Sequence, residues 1–324
     1  MAKTKDISRR IKSINNTKKI TKAMEMVAAV KMRKAVEAVL ATRTYSNLSW
    51  ELILNLAKMS QLNGSATHPL LVKRTKAKKV AIILITSNRG LCGSLNASVI
   101  MKAKESLEKH HIIDNQEVEN SFILIGKKGE IFYNYKGAKV IAEFPKADII
   151  TSTEEIIPVA KLVIEDYLAS KYDKVFLAYT DFINPAKQVP RVKQLLPVDI
   201  ESEDKYLGVV GKSAQVGVTK EFIEYKEEKH LHSGKYVHEY TFEPNPQEVL
   251  DMIIPRLIEI QLYQALLEST ASEHSARMTA MHQATESAND MVNELTLFYN
   301  KARQAGITAE IAEISAGANA LAEV

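Results

Sequence analysis

The sequence predicts a mixed α/β protein. A long antiparallel coiled coil of the N- and C-terminal helices is joined to a central Rossmann-like, doubly wound domain. Three observations carry this expectation. Glycine and proline are concentrated in the middle: the first are Gly64 and Pro69, the last proline is Pro255, and only Gly306 and Gly317 follow it. Both breaker-poor ends carry helical apolar spacing. The middle alternates continuous apolar runs with helical spacing, as a parallel sheet covered on both faces requires.

The N-terminal helix is expected over 1–62. At 1.5 Å per residue it would exceed about 80 Å, which overhangs any small domain. Ile7, Ile11 and Ile14 open a heptad seam, and Ile20, Met24 and Val27 restart one out of phase. Thr17 to Val36 reads TKKITKAMEMVAAVKMRKAV. Met24, Met26, Val27, Val30, Met32 and Val36 are spread around the helix, with Lys18, Lys19, Lys22, Lys31, Arg33 and Lys34 between them. A helix both apolar and basic on all sides suits neither a core nor free solvent. Residues 1–34 hold eleven Lys or Arg against Asp6 and Glu25, a local charge of +9.

The central α/β domain is expected over 76–198. KKVAIILIT (78–86), SFILIG (121–126) and DKVFLAYTDF (173–182) read as buried strands. Helical spacing occupies 94–109 and 153–170, the latter through Ile156, Ala160, Val163 and Tyr167. VKQLLPV (192–198) adds a further strand. Residues 199–243 read as an appendage, a charged antiparallel hairpin turning near Ser233-Gly234.

The C-terminal helix is expected over 246–324, with Pro246 in its first turn. Leu267, Ala271, His274, Met278, Met281, Thr285, Ala288, Val292, Leu295, Tyr299 and Ala302 step 4,3,4,3 without a break, the spacing of a left-handed coiled coil. Four basic against eleven acidic residues give 246–324 a charge of −7. An antiparallel pair places the two oppositely charged ends together. Ala, Thr, His and Met make a seam that buries little area, while Ile307, Ile311 and Ile314 are more apolar than an exposed rod needs. The pair is therefore expected to sit inside something else.

Candidate chemical sites are few. TSNRGLCGSLN (86–96) follows a strand and precedes a helix, where α/β sheets bind phosphates. It has neither G-x-G-x-x-G nor P-loop spacing, and GKKGE (126–130) lacks the P-loop Ser or Thr. Glycines serving tight turns are the favoured reading of both. Cys92, the single cysteine, excludes an internal disulfide and leaves a reactive thiol or an inert buried cysteine. The histidines form no ligand set; His230, His232 and His238 alternate in the appendage, and His274 reads as a packed seam histidine. No catalytic grouping of Ser, His and Asp or pair of carboxylates stands out. The basic N-terminus suggests nucleic acid or a membrane surface, but it has no aromatic until Tyr45 and does not segregate apolar from basic faces. No apolar run reaches the roughly 18 residues of a membrane span. The basic, acid-poor start has features of a transit peptide but leads straight into a helix.

KITKAMEMVAAVKMRKA (19–35), TSNRGLCGSLN (86–96) and YNKARQAGITAEIAEI (299–314) closely resemble the γ subunit of the rotary F-type (H+/Na+-translocating) ATP synthases. The order and spacing agree over nearly the whole chain. The resemblance implies a non-catalytic rotor shaft, without cofactor or metal, inside a ring of α and β subunits whose β members hold the catalytic sites. It implies a sheet domain without nucleotide chemistry that contacts the ε subunit and the membrane c-ring, with no membrane insertion of its own. Lys22 and Met24 resemble positions at an acidic segment of β. Arg303, Gln304 and Thr308 resemble contacts with a β catch loop. Tyr240 and Phe242, before Glu243-Pro244, resemble the foot that meets the c-ring and ε. The 199–243 appendage is longer than in compact bacterial relatives, and the plant-type regulatory cysteine pair is absent. The start MAKTKDISRR favours a bacterial protein, expected on the cytoplasmic face of the plasma membrane.

Overall fold

The computed structural model describes residues 2–62, 68–71, 78–111, 118–134, 138–150, 152–197, 243 and 246–322. The appendage expected over 199–243, Glu243 apart, lies outside the described residues, and so do Tyr240 and Phe242. The elements run α1 (Ala2–Leu62), β1 (Lys79–Ile85), α2 (Leu95–His111), β2 (Glu119–Ile125), β3 (Ala138–Phe144), α3 (Ile157–Leu168), β4 (Lys174–Asn184), β5 (Lys187–Leu196) and α4 (Pro246–Ala322). Short 3-10 turns occupy Pro69–Leu71, Lys127–Asn134 and Thr153–Glu155. Two compact units divide the chain: residues 1–29 with 277–324, and residues 30–276.

The larger unit holds one five-stranded sheet of order β3-β2-β1-β4-β5. The first four strands are parallel, and β5 folds back antiparallel to β4. Ile83 of β1 sits opposite Ile123 of β2 and Leu177 of β4. Strand periodicity sends alternate β1 residues to two cores. Val80, Ile82 and Leu84 cluster with Val99, Ala103 and Leu107 of α2. Ala81, Ile83 and Ile85 cluster with Val159, Ala160, Val163 and Tyr167 of α3, with Val39 of α1 and with the 250–271 stretch of α4. Burial on both faces is why these strands read as unbroken apolar runs.

Two strands differ from expectation. Residues 138–144 carried no strand signal, yet form β3. It is an edge strand whose Lys139, Ile141 and Glu143 are exposed, so it never shows a continuous apolar run. β5 begins at Lys187 rather than 192, because its first half, KQVPR, is only partly buried and mixed in polarity.

In the smaller unit α1 and α4 pair antiparallel. Lys18 Nζ donates to Asn289 Oδ1 at 2.6 Å, Thr285 Oγ1 lies 2.8 Å from Thr21 Oγ1, and His282 Nδ1 lies 3.3 Å from Glu25 Oε1. On α4 the seam residues from Met278 to Ala302 are all buried or half-buried, as the heptad predicts. On α1 the expected out-of-phase restart does not occur. Ile7, Ile11, Ile14, Lys18, Thr21, Glu25 and Ala28 carry one unbroken heptad, and Ile20 and Val27 are exposed. The seam passes through polar and small side chains, so a reading that follows apolarity jumps to the neighbouring register.

Candidate functional site

The helix pair of the smaller unit presents the mixed surface that the sequence raised as a puzzle. Lys22 Nζ donates to both carboxylate oxygens of Glu25, at 3.0 and 3.1 Å. That hydrogen bond holds the Glu25 carboxyl below its ordinary range. His282 stands between Glu25 and Glu286, with Nε2 at 3.4 Å from Glu286 Oε1. Lys18, Lys19, Lys22 and Met26 of α1, with His282, Thr285, Glu286 and Asn289 of α4, line an open groove of about 480 Å³. Ion pairs this exposed are weak, and their members exchange partners at little cost. Next to them Ile20, Met26 and Val27 are exposed, and Met24 is half-buried beside the seam.

Beyond Ala302 the α4 helix is exposed on every side as far as Ala316. Arg303, Gln304 and Thr308 lie here, and Thr308 Oγ1 donates to the Gln304 carbonyl at 2.9 Å. The 304 and 308 positions share one helix face. Ile307, Ile311 and Ile314 add a second exposed apolar patch. Along α4 this region begins roughly 20 Å beyond Asn289. The structure therefore does not bring Lys22 and Met24 together, since two residues along one helix turn them to different sides, Lys22 exposed and Met24 half-buried by the seam, and it keeps both apart from Arg303, Gln304 and Thr308.

The 86–96 loop is closed by its own side chains. The Ser87 N–H, which a phosphate loop would aim at its ligand, donates to Asn96 Oδ1 at 3.0 Å. Asn96 Nδ2 donates to Ser87 Oγ at 2.7 Å, and the Lys128 N–H donates to the Ser87 carbonyl at 3.0 Å. Cys92, within this loop, is buried, its Sγ 3.3 Å from Asn96 Nδ2. Gly126, at φ +94, follows β2, and a Cβ there would stand 2.4 Å from the Thr86 carbonyl oxygen. Close approach of two chain segments accounts for that glycine.

A second feature, in the larger unit, carries little signal in the sequence. Residues 260–275 of α4 are all buried, polar ones included. Glu268 Oε1 lies 3.3 Å from Arg43 Nη2 and accepts from Gln264 at 2.9 Å. Burial, and then the neighbouring Asp181 carboxylate, push Glu268 up to about 7. Lys193 Nζ donates to Gln261 Oε1 at 2.7 Å, and burial pulls its pKa down to about 8. Lys146 Nζ donates to Glu273 Oε2 at 2.7 Å, with 2% and 8% of the two side chains exposed. His274, buried as expected, has Nε2 at 2.9 Å from the Asp148 carbonyl. The available signal was a run rich in small residues, STASEHSA (269–276), with no wide polar face.

No described helix is long and apolar enough to cross a membrane. Among the described residues, no group of His, Cys, Asp or Glu has the geometry of a metal site. A family model described as ATP synthase matches residues 3–321. The chain is 40% identical to the ATP synthase gamma chain of Herpetosiphon aurantiacus, over 99% of both chains. It is equally identical, over 99% of both chains, to the gamma chain of Chloroflexus aurantiacus. Among solved structures, a chain of the Euglena gracilis mitochondrial ATP synthase OSCP/F1/c-ring assembly shares the fold at a TM-score of 0.61 and 17% identity, covering 99% of this chain and 95% of that one. A chain of the Tetrahymena thermophila mitochondrial ATP synthase central stalk and c-ring gives 0.56 and 22%, covering 82% of this chain and 99% of that one.

Proposed function

The chain belongs to the ATP synthase gamma-chain family, and from that premise we propose that it works as the non-catalytic rotor shaft of a rotary ATP synthase. Its helix pair turns inside a sleeve of α and β subunits. Its sheet domain meets the ε subunit and the membrane c-ring, through a foot that includes Tyr240 and Phe242. Ion-driven rotation forces each β in turn through the conformations that make and release ATP. Coupling between two such sites is reciprocal, so hydrolysis drives the rotation backwards. The complex sits on the cytoplasmic face of a bacterial plasma membrane, with this chain as a peripheral subunit.

The observation that carries this reading is the surface of the smaller unit. Apolar Ile20, Met26 and Val27 on α1, and Leu297, Phe298, Ile307, Ile311 and Ile314 on α4, are exposed among charged residues, basic on α1 and of both signs on α4. Exposed apolar patches on this scale mark a surface that another protein covers. A sleeve closed around the pair leaves no side that must be purely polar. Lys22 and Met24 meet an acidic segment of β. Arg303, Gln304 and Thr308 meet a β loop. Weak, replaceable ion pairs suit contacts that break and re-form at each step.

Assembly into the whole complex, with α and β subunits and the membrane c-ring, tests the proposal. Lys22→Glu is expected to leave the chain folded and to lower ion pumping per ATP hydrolysed, because it sets a negative charge against an acidic partner. Unchanged pumping would remove Lys22 from the interface.

A further inference from the structure

Residues 260–275 of α4 are buried throughout, yet the enclosure is only partly apolar. Polar side chains reach out from this stretch to different neighbours: Gln261, Glu268, Ser272 and Ser275 share one face of α4, while Glu273 and His274, which meet Lys146 and the Asp148 carbonyl, lie on other sides. Gln261 donates to the Ser46 carbonyl of α1 at 3.0 Å and accepts from Lys193 of β5. Glu268 meets Arg43 of α1. Ser272 donates to the Thr180 carbonyl of β4 at 3.2 Å, and Ser275 donates to the Pro185 carbonyl at the β4–β5 turn at 2.8 Å. Glu273 meets Lys146, in the loop after β3. Lys31 of α1 pairs with Asp148 in the same loop at 2.9 Å. Packing around the Arg43–Glu268 and Lys193–Gln261 contacts leaves only about 20 Å³ of free space.

Stability alone does not explain this choice of residues. Replacing a buried ion pair by well-packed apolar residues is often neutral or stabilising. What an apolar sheath lacks is direction. Hydrophobic contact is indifferent to small rotations and slips, whereas hydrogen bonds weaken steeply off their preferred geometry. A helix bonded along one face to α1, β4 and β5, and on other sides through Glu273 and His274, cannot turn without breaking these bonds together.

We propose that this buried polar collar keys α4 against turning or sliding on the sheet, so that torque passes between the sheet domain and the helix pair without slip. The proposal rests on the rotor-shaft reading. Lys146, Glu273, Ser272 and Ser275 are positioning residues in it: they touch no nucleotide and act by holding one element against another.

A loaded rotation assay tests it. The full chain is assembled with α and β subunits, and a bead is attached through Lys161→Cys on α3, whose side chain is 73% exposed. The native Cys92 is buried and is not expected to compete for the label. Torque from the ring must then cross the collar to move the bead. Lys146→Met with Glu273→Leu replaces the ion pair by apolar bulk, and Ser272→Ala with Ser275→Ala removes two hydroxyls and the three hydrogen bonds they make while keeping the backbone. The expected result is unchanged speed on a small bead, unchanged ATPase, and loss of torque with irregular slipping on a large bead. Full torque in both variants overturns the proposal. If the Lys146 and Glu273 variant does not fold, the serine variant decides alone. A wild-type chain that drives no bead at all would sink the rotor reading instead, so the two failures are distinguishable.

Discussion

Replacing Ile20, Met26 and Val27 together by glutamine separates what the chain needs for its own fold from what it offers to a partner. These side chains are 61%, 56% and 56% exposed. Full burial of such a side chain stabilises by about 1.5–3 kcal/mol, so roughly 1 kcal/mol each, and about 3–4 kcal/mol together, is still to be gained when a partner covers them. That corresponds to a factor of about a hundred or more in association. In the isolated chain the triple variant is expected to melt within about 2 °C of wild type, because exposed substitutions rarely move stability by more than about 0.5 kcal/mol. Ala28→Gln is the internal control. Ala28 is 2% exposed on the seam, and forcing a larger side chain there costs about 1–3 kcal/mol and lowers the melting temperature. The assay is a titration of each chain into α and β subunits, followed by ATPase rate. The triple variant should need about a hundredfold more chain for half-maximal stimulation. Two results refute the reasoning: a triple variant that melts as early as Ala28→Gln, or one that stimulates at wild-type concentration.

Other perturbations reach different parts of the account. Gly126→Ala sets a Cβ against the Thr86 backbone at a positive φ, and a loss of about 2–3 kcal/mol in chemical denaturation is expected; a neutral effect would mean that the two segments separate freely. Glu268 binds its proton more tightly folded than unfolded. Its contribution is therefore fully present below the ordinary carboxylate range and declines as pH rises through about 7, by up to about 3 kcal/mol. Subtracting the Glu268→Gln stability curve from wild type should leave that decline, and a difference that is flat or rises with pH contradicts it. Arg303→Ala with Gln304→Ala and Thr308→Ala should leave the melting temperature unchanged, since all three are exposed, and should lower ATPase stimulation; equal stimulation would remove them from the β contact.

The sequence made the sheet legible where strands are covered on both faces, because the central stretches of β1 (80–85), β2 (122–125) and β4 (175–179) are then unbroken apolar runs. It concealed β3, whose edge position leaves alternate residues in solvent. The C-terminal heptad was legible because its seam, however mixed in chemistry, keeps strict spacing from Met278 to Ala302. The N-terminal register was not. Lys18, Thr21 and Glu25 hold seam positions by bonding to Asn289, Thr285 and His282 across the pair, while the more apolar Ile20 and Val27 face outward. Apolarity reported the surface a partner would cover rather than the contact within the chain. The collar was concealed for a related reason: Arg43 and Lys146, the partners of Glu268 and Glu273, are distant in sequence and meet them only in the fold. The motifs at 19–35 and 299–314 pointed to the family, and the geometry explains why they combine basic and apolar residues.

The central claim, that this chain is a rotor inside a ring of other subunits, is tested most directly by co-expression with the α and β subunits of its own organism. Copy number in the purified complex and ATPase turnover with and without the chain are the readouts. The account predicts a single copy per ring and turnover that rises when the chain is present. A chain that purifies alone, folded and monomeric, with turnover unaffected, would contradict it.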